Sequence, residues 1–353
     1  MLAVPYMQMR GGSSKGLYFL ASNLPRNEAL RDQVILDAVG RDARQIDGLG
    51  GGHPLTSKVA VVSRSSLPDC DVDYLFVQVV VGENRVDTSP NCGNILAGVG
   101  AFAIENGLVD AQDGITTVRV NMVNSGNRCD LDVQTPNQKV QYEGDAAIDG
   151  VPGTAAPVIC NYKDIAGSIT GSLLPTGNIK DTFDGVEVTC IDNGMPVVLM
   201  RASDLGVSGY ESADELNANE TLKAKIESIR LQAGEAMNLG DVTDKVVPKM
   251  SLVAPPVDSG HICSRTFIPR VCHTAIGVLG AVSVATAAAM PGNVAEGIAE
   301  IPAGDVKTIS VEHPSGEFSM TLTFDDQNNV TKAGLLRTAR LLARGELFVP
   351  INK

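Results

Sequence analysis

Positive charge is scarce in this 353-residue chain, which carries 28 Lys+Arg against 41 Asp+Glu for a formal net charge of −13. With a sequence pI near 4.8 and no basic cluster, it lacks the electrostatic footprint for nucleic acid or an anionic membrane surface. No CxxC pair occurs among Cys70, Cys92, Cys129, Cys160, Cys190, Cys263 and Cys272, and no Cys/His spacing suits zinc. Neither a metal site nor a disulfide framework is therefore expected. The first ten residues lack a charged segment followed by an apolar one, so no secretory signal is expected. The most apolar long stretch, 274–290, is shorter than the ~20 residues of a membrane span and reads as a buried helix. A cytoplasmic protein with reduced thiols follows. Its 44% hydrophobic content is globular, and at roughly 100–200 residues per domain the length predicts two domains.

What the chain does contain is a repeat. Phe19-Leu20-Ala21-Ser22-Asn23-Leu24 resembles Met200-Arg201-Ala202-Ser203-Asp204-Leu205, and Cys92 has a counterpart in Cys272, both about 180 residues on. Strand–turn–strand patterns at 118–133 and 308–324 follow in the same order. Two similar halves are expected, 1–185 and 186–353, with the site between them and with 335–353 packing back on the first. Periodicity predicts strands at 59–63, 72–81, 118–123, 139–142, 251–254, 262–268, 308–312 and 318–324. Pro196 makes the early part of 190–200 an irregular turn before a strand. Helices are expected at 93–106 and 273–289, both apolar and enclosed, with a polar amphipathic helix at 213–237 outside. The fold class is α/β (α+β), each half a curled mixed sheet around a central helix.

Glycine-rich segments do not supply a nucleotide site. Arg10-Gly11-Gly12-Ser13-Ser14-Lys15-Gly16 fails the P-loop spacing, and Gly48-Leu49-Gly50-Gly51-Gly52-His53 does not complete G-x-G-x-x-G. The first suits close approach of backbone to an anion, with a tight turn as the bland alternative. Cys92 heads an apolar helix, where the dipole favours thiolate and the amides of Gly93 and Asn94 can face an oxyanion. Cys272-His273 is expected to repeat that geometry. Lys58 enters a strand and becomes an acid or base if it turns inward. Arg265 lies in a strand read as buried, and so requires an anionic partner.

These residues carry a resemblance. Met9 to Gly16, Leu55-Thr56-Ser57-Lys58 and Asn91-Cys92-Gly93-Asn94 resemble the PrpF-like isomerases of the diaminopimelate-epimerase fold. Asp149-Gly150-Val151-Pro152-Gly153, Asp192-Asn193-Gly194-Met195-Pro196, Cys272-His273 and His313-Pro314-Ser315-Gly316 continue it through nearly the whole chain. The resemblance implies two similar halves and an isomerase closest to those acting on 4-oxalomesaconate in gallate and protocatechuate catabolism. Members acting on 2-methylaconitate, aconitate or methylitaconate are the alternative. It matches the family's catalytic lysine and cysteine to Lys58 and Cys92. Arg10, Ser13, Ser14, Lys15, Ser57, Gly93, Asn94, Ser125, Arg265, Cys272, His273, Ser315 and Gly316 are then expected to bind a tricarboxylate. No cofactor or metal is expected, and a homodimer suits a metabolic enzyme.

Overall fold

The computed structural model describes residues 1–88, 91–163, 165–326 and 330–350. The chain divides into two compact units, Met1–Lys163 with Leu335–Lys353, and Asp164–Gly334. The junction falls before residue 185 because the short strand Asp181–Phe183 pairs with the strand that follows it.

The first unit contains β1 (Leu2–Gly11), β2 (Ser14–Leu20), α1 (Glu28–Val39), β3 (Lys58–Arg64), β4 (Val72–Val79) and β5 (Val86–Asp87). It continues with α2 (Gly93–Glu105), β6 (Gly114–Met122), β7 (Asn127–Thr135) and β8 (Pro157–Lys163). The sheet runs β1-β2-β3-β4-β6-β7-β8, and the C-terminal strand, Val330–Val349, hydrogen-bonds to both β8 and β1. The strands thereby close into a ring. α2 touches β1–β4 and β6–β8 from inside, and Ile95 through Ala103 are all buried. An apolar helix has no polar face to hide, and each enclosed Leu, Ile or Val contributes roughly 1.5–3 kcal/mol.

α1 covers the outside. Its Val34, Ile35 and Val39 cluster with Leu17, Phe19, Val59, Val61 and Val77 of β2, β3 and β4. Strand alternation then fixes the opposite face. Lys58, Ala60 and Val62 on β3, and their partners Gln78, Phe76 and Tyr74 on β4, turn toward α2.

The second unit contains β9 (Asp181–Phe183), β10 (Val186–Asp192), β11 (Pro196–Arg201), α3 (Ala213–Ala218), α4 (Glu220–Ala236) and β12 (Lys249–Ala254). β13 (Ile262–Phe267), α5 (Val278–Ala289), β14 (Val306–His313) and β15 (Gly316–Phe324) follow. These strands lie in chain order, β15 to β9. α5 packs on β10, β11, β14 and β15, and Gly280 through Ala288 are buried. α3 and α4 pack on the other face with Val188, Val198, Met250, Leu252 and Phe267.

The repeat is a structural one. β2 pairs parallel with β3 and β3 antiparallel with β4, as β11 does with β12 and β12 with β13. The similar hexapeptides run from β2 and β11 into the short turns Ala21–Asn23 and Ala202–Leu205. Both units have the sheet-around-helix build of the diaminopimelate-epimerase fold.

Four local expectations are corrected. The helix expected from His273 starts at Val278, because Cys272 bridges to Phe267 and the His273 N–H goes to the Thr266 carbonyl. The expected 213–237 helix breaks at Asn219, whose side chain accepts from the Leu222 N–H and starts α4. Irregular backbone in 190–200 is confined to 193–195, and Pro196 opens β11. Residues 139–142 are a loop, with backbone bonds to Gln134 and Ala156 but no ladder.

Candidate active site

Lys58 is the first residue of β3, half-buried, with Nζ donating to Gln78 Oε1 at 2.8 Å and lying 5.1 Å from the centre of the Phe76 ring. The Gln78 amide is itself fixed, since Nε2 donates to the carbonyls of Ser57, Pro54 and Val79 at 3.0–3.1 Å. An amide oxygen and an aromatic face orient the amine.

Cys92 is the N-cap of α2, and its thiol makes no capping bond. Its carbonyl accepts from the Leu96 N–H at 3.0 Å and from Tyr74 Oη at 3.1 Å. Tyr18 Oη donates to the Ile95 carbonyl at 2.6 Å. Burial pushes both phenols well above their usual range, so they remain neutral donors pinning the first helical turn. Gly93 and Asn94 occupy that turn, where backbone N–H groups have no intrahelical acceptor. Pro90 of the cysteine motif lies outside the described residues.

The β1–β2 turn is tied to the same helix end. Asn94 accepts from the Ser13 N–H through Oδ1 at 3.4 Å and donates to Ser13 Oγ through Nδ2 at 3.2 Å. Gly12 has φ +52°, and a Cβ there would lie 2.1 Å from Asn94 Oδ1. Only glycine fits. Ser14 Oγ and Asn91 Oδ1 are buried without a hydrogen-bond partner among the described residues. Each such atom costs roughly 1–3 kcal/mol, and a polar ligand would offset it.

Other expected binding residues have different work. Arg10 and Lys15 stand opposite each other on β1 and β2, one position along from Gly11 and Ser14, so they occupy the face turned away from α2. Arg10 Nη1 donates to Gly12 O, Thr338 O and Thr338 Oγ1 at 2.9–3.0 Å, clamping the turn to the C-terminal strand. Ser57 Oγ donates to Gln45 Oε1 and the His53 carbonyl, both at 2.8 Å, holding the glycine-rich loop. Ser125 sits in the exposed β6–β7 turn and accepts from the Asn127 N–H. Arg10 and Ser57 are thus engaged in bonds within the first unit.

In the second unit, Arg265 pairs with Leu252 and shares its face toward α3 and α4. Nε donates to the Glu211 carbonyl at 2.7 Å, and Nη1 to Ser264 O and Cys263 Sγ. Cys272 packs into the same apolar cluster at 3% exposure, and burial pushes its thiol up to about 11. Neither stands at a helix N-terminus or on the α5 face, which corrects both expectations. His273 Nδ1 accepts from the Ala275 N–H at 2.8 Å, and burial lowers its pKa. The neutral ring then carries its proton on Nε2. Ser315 Oγ donates to the Thr274 carbonyl at 2.7 Å, bringing the 315–316 turn beside His273-Thr274.

The sequence points to Lys58, Cys92, Ser13, Ser14 and Asn94; Ser13 meets Asn94 at the head of α2, which Cys92 caps, and Lys58 opens β3 on the face turned to α2. The sequence carries no signal for Gln78, Tyr74 or Tyr18, whose positions depend on strand register. Asn91 stands inside the cysteine motif, directly before Cys92. Among the described residues no group of three or more His, Cys, Asp or Glu could hold a metal ion, and no helix is long and apolar enough to cross a membrane.

A sheet wrapped around a helix, with an inward lysine and a cysteine at the helix head, is an α/β arrangement suited to moving a proton. A family model described as "PrpF protein" matches residues 1–350. The chain belongs to the PrpF family. It is 58% identical over 348 residues, 98% of each chain, to a (4E)-oxalomesaconate Delta-isomerase of Novosphingobium sp. (strain KA1). It is 54% identical over 347 residues to a 4-oxalomesaconate tautomerase of Pseudomonas putida (strain KT2440), covering 98% of this chain and 96% of that one. A crystal structure of methylitaconate-delta-isomerase superposes with TM-score 0.90 at 34% identity, covering 98% of this chain and 95% of the other.

Proposed function

We propose that this chain is a cofactor-independent isomerase of 4-oxalomesaconate, acting by keto–enol tautomerisation or a 1,3-allylic shift. The observation that carries this reading is the 58% and 54% identity, over nearly full length, to relatives bearing that substrate in their names. Lys58 and Cys92 are the proton-handling groups, one as base and the other as acid. The base removes a C–H proton, and the electron pair delocalises into the keto and carboxylate groups as a dienolate. Protonation on oxygen gives the enol; protonation at the far allylic carbon gives the shifted double bond. The amides of Gly93 and Asn94 would stabilise the developing charge in a setting without reorganisation cost. Ser13, Ser14 and Ser125 are assigned to the carboxylates. The reaction is placed in the cytoplasm, where seven free thiols stay reduced.

Proton NMR of 4-oxalomesaconate in D2O with the wild-type enzyme tests the reading. Conversion with deuterium entering one carbon supports it, and absence of conversion sinks it. Comparing kcat/KM for 2-methylaconitate, aconitate and methylitaconate separates the alternative substrates.

A further inference from the structure

The second unit holds a lysine in the position that Lys58 occupies in the first. Lys249 opens β12 as Lys58 opens β3, and each pairs with a parallel strand on one side: Gly16 with Lys58, Val197 with Lys249. The side-chain facing matches too. The residues next along, Val59 and Met250, pack outward against α1 and against α3–α4 respectively. Alternation therefore turns Lys58 to the α2 face and Lys249 to the α5 face. Arg265, the cation that the sequence singles out in this half, points the other way.

Lys249 is half-buried, and its Nζ donates to the Val246 carbonyl at 2.6 Å. Burial alone lowers its pKa, to about 8, with no carboxylate offsetting the loss of water. His273 joins it. Cys272 points into the α3–α4 cluster, so the next side chain of this extended segment points back, and the charge of Lys249 helps to lower the His273 pKa. From β12 and β13 the same face presents Ser251 and Thr266, uncharged and bonded to each other at 2.8 Å. The nearby cations are otherwise engaged, Lys245 with the Leu239 carbonyl and Arg270 with Glu227 and the Thr243 carbonyl. The patch is thus an ammonium and an imidazole with its proton on Nε2, over two buried hydroxyls that bond to each other. Among the described residues neither Lys249 Nζ nor the His273 ring bonds to a carboxylate.

We propose that Lys249 and His273 form a carboxylate-binding pair in the second unit. This rests on the reading of the enzyme as acting on a polycarboxylate. A carboxylate would take a charge-assisted bond from Nζ and a second from Nε2, supplying the anion that a half-buried ammonium lacks.

Calorimetry with tricarballylate, a saturated tricarboxylate with no alkene to shift, measures this without turnover. With Lys249→Met the expected result is binding weakened about 10–100-fold. Wild-type affinity should fall as pH rises past about 8, because the free amine loses its proton. Lys249→Arg should restore binding and remove that fall, since guanidinium keeps its charge. A merely structural lysine would not produce that pH signature. Unchanged affinity in Lys249→Met, or a pH dependence that survives Lys249→Arg, would each overturn the proposal. Wild type that binds tricarballylate yet never isomerises 4-oxalomesaconate would overturn the functional reading alone. Wild type that does not bind it overturns this proposal.

Discussion

Lys58 and Gln78 face each other across β3 and β4, and the lysine Nζ donates to the glutamine Oε1 at 2.8 Å. Three backbone carbonyls hold the other end of that amide, so the oxygen is presented to Nζ with a fixed orientation. The amine is positioned by a neutral acceptor.

Gln78→Glu places a carboxylate opposite the amine and favours the ammonium. The Lys58 limb of the pH–rate profile should then move to higher pH, whether the lysine serves as base or acid. Gln78→Leu should lower kcat about tenfold or more with little change in KM. Profiles of both variants that overlay wild type would contradict the positioning role.

Gly12→Ala tests the close approach of the β1–β2 turn to α2. With φ at +52° and the added Cβ 2.1 Å from Asn94 Oδ1, the variant should lose about 1–3 kcal/mol and most activity. The urea midpoint reads the first and turnover the second. Asn94→Ala removes the obstructing oxygen, so combining it with Gly12→Ala should cost less stability than the sum of the two.

Cys272→Ala should keep kcat/KM within about threefold and lower Tm, since its thiol packs among apolar side chains. A folded thiol held up to about 11 stays protonated when an unfolded one ionises near 9. Its contribution to stability is therefore present below pH 9 and is lost as pH rises from 9 toward 11. Iodoacetamide labelling at pH 8, read by mass spectrometry, should leave Cys272 unmodified in the native enzyme. Rapid native labelling would refute the packing role.

His273 titrates in the opposite sense. Its folded pKa is lowered by burial, so the unfolded chain takes up the proton first as pH falls through about 6.5. Stability should drop over that window and level off below the folded pKa. His273→Asn should flatten this part of the stability–pH curve; a curve identical to wild type would count against a buried neutral ring.

The repeat was legible because its marks are local: a hexapeptide, a helix-heading cysteine and a hairpin, each set by neighbours in sequence. Lys58 and Cys92 were legible for the same reason. Which face a residue takes was not, because one step along a strand reverses it. Arg10, Lys15 and Arg265 therefore read as ligands and stand on the outer faces, whereas Lys249, which has no motif around it, stands inward. The start of α5 was missed because β13 captures Cys272 and His273 into backbone pairing. The ring closure was equally hidden, since β1 finds its partner strand at residues 339–349, and no local pattern reports pairing at that separation.

The central claim is that Lys58 and Cys92 carry the proton. Deuterium incorporation from D2O into 4-oxalomesaconate, followed by NMR with wild type, Lys58→Ala and Cys92→Ser, tests it most directly. Each substitution should slow exchange and turnover by about 10²–10⁴ while leaving the unfolding midpoint near that of wild type. Full exchange and turnover in both variants would contradict the account.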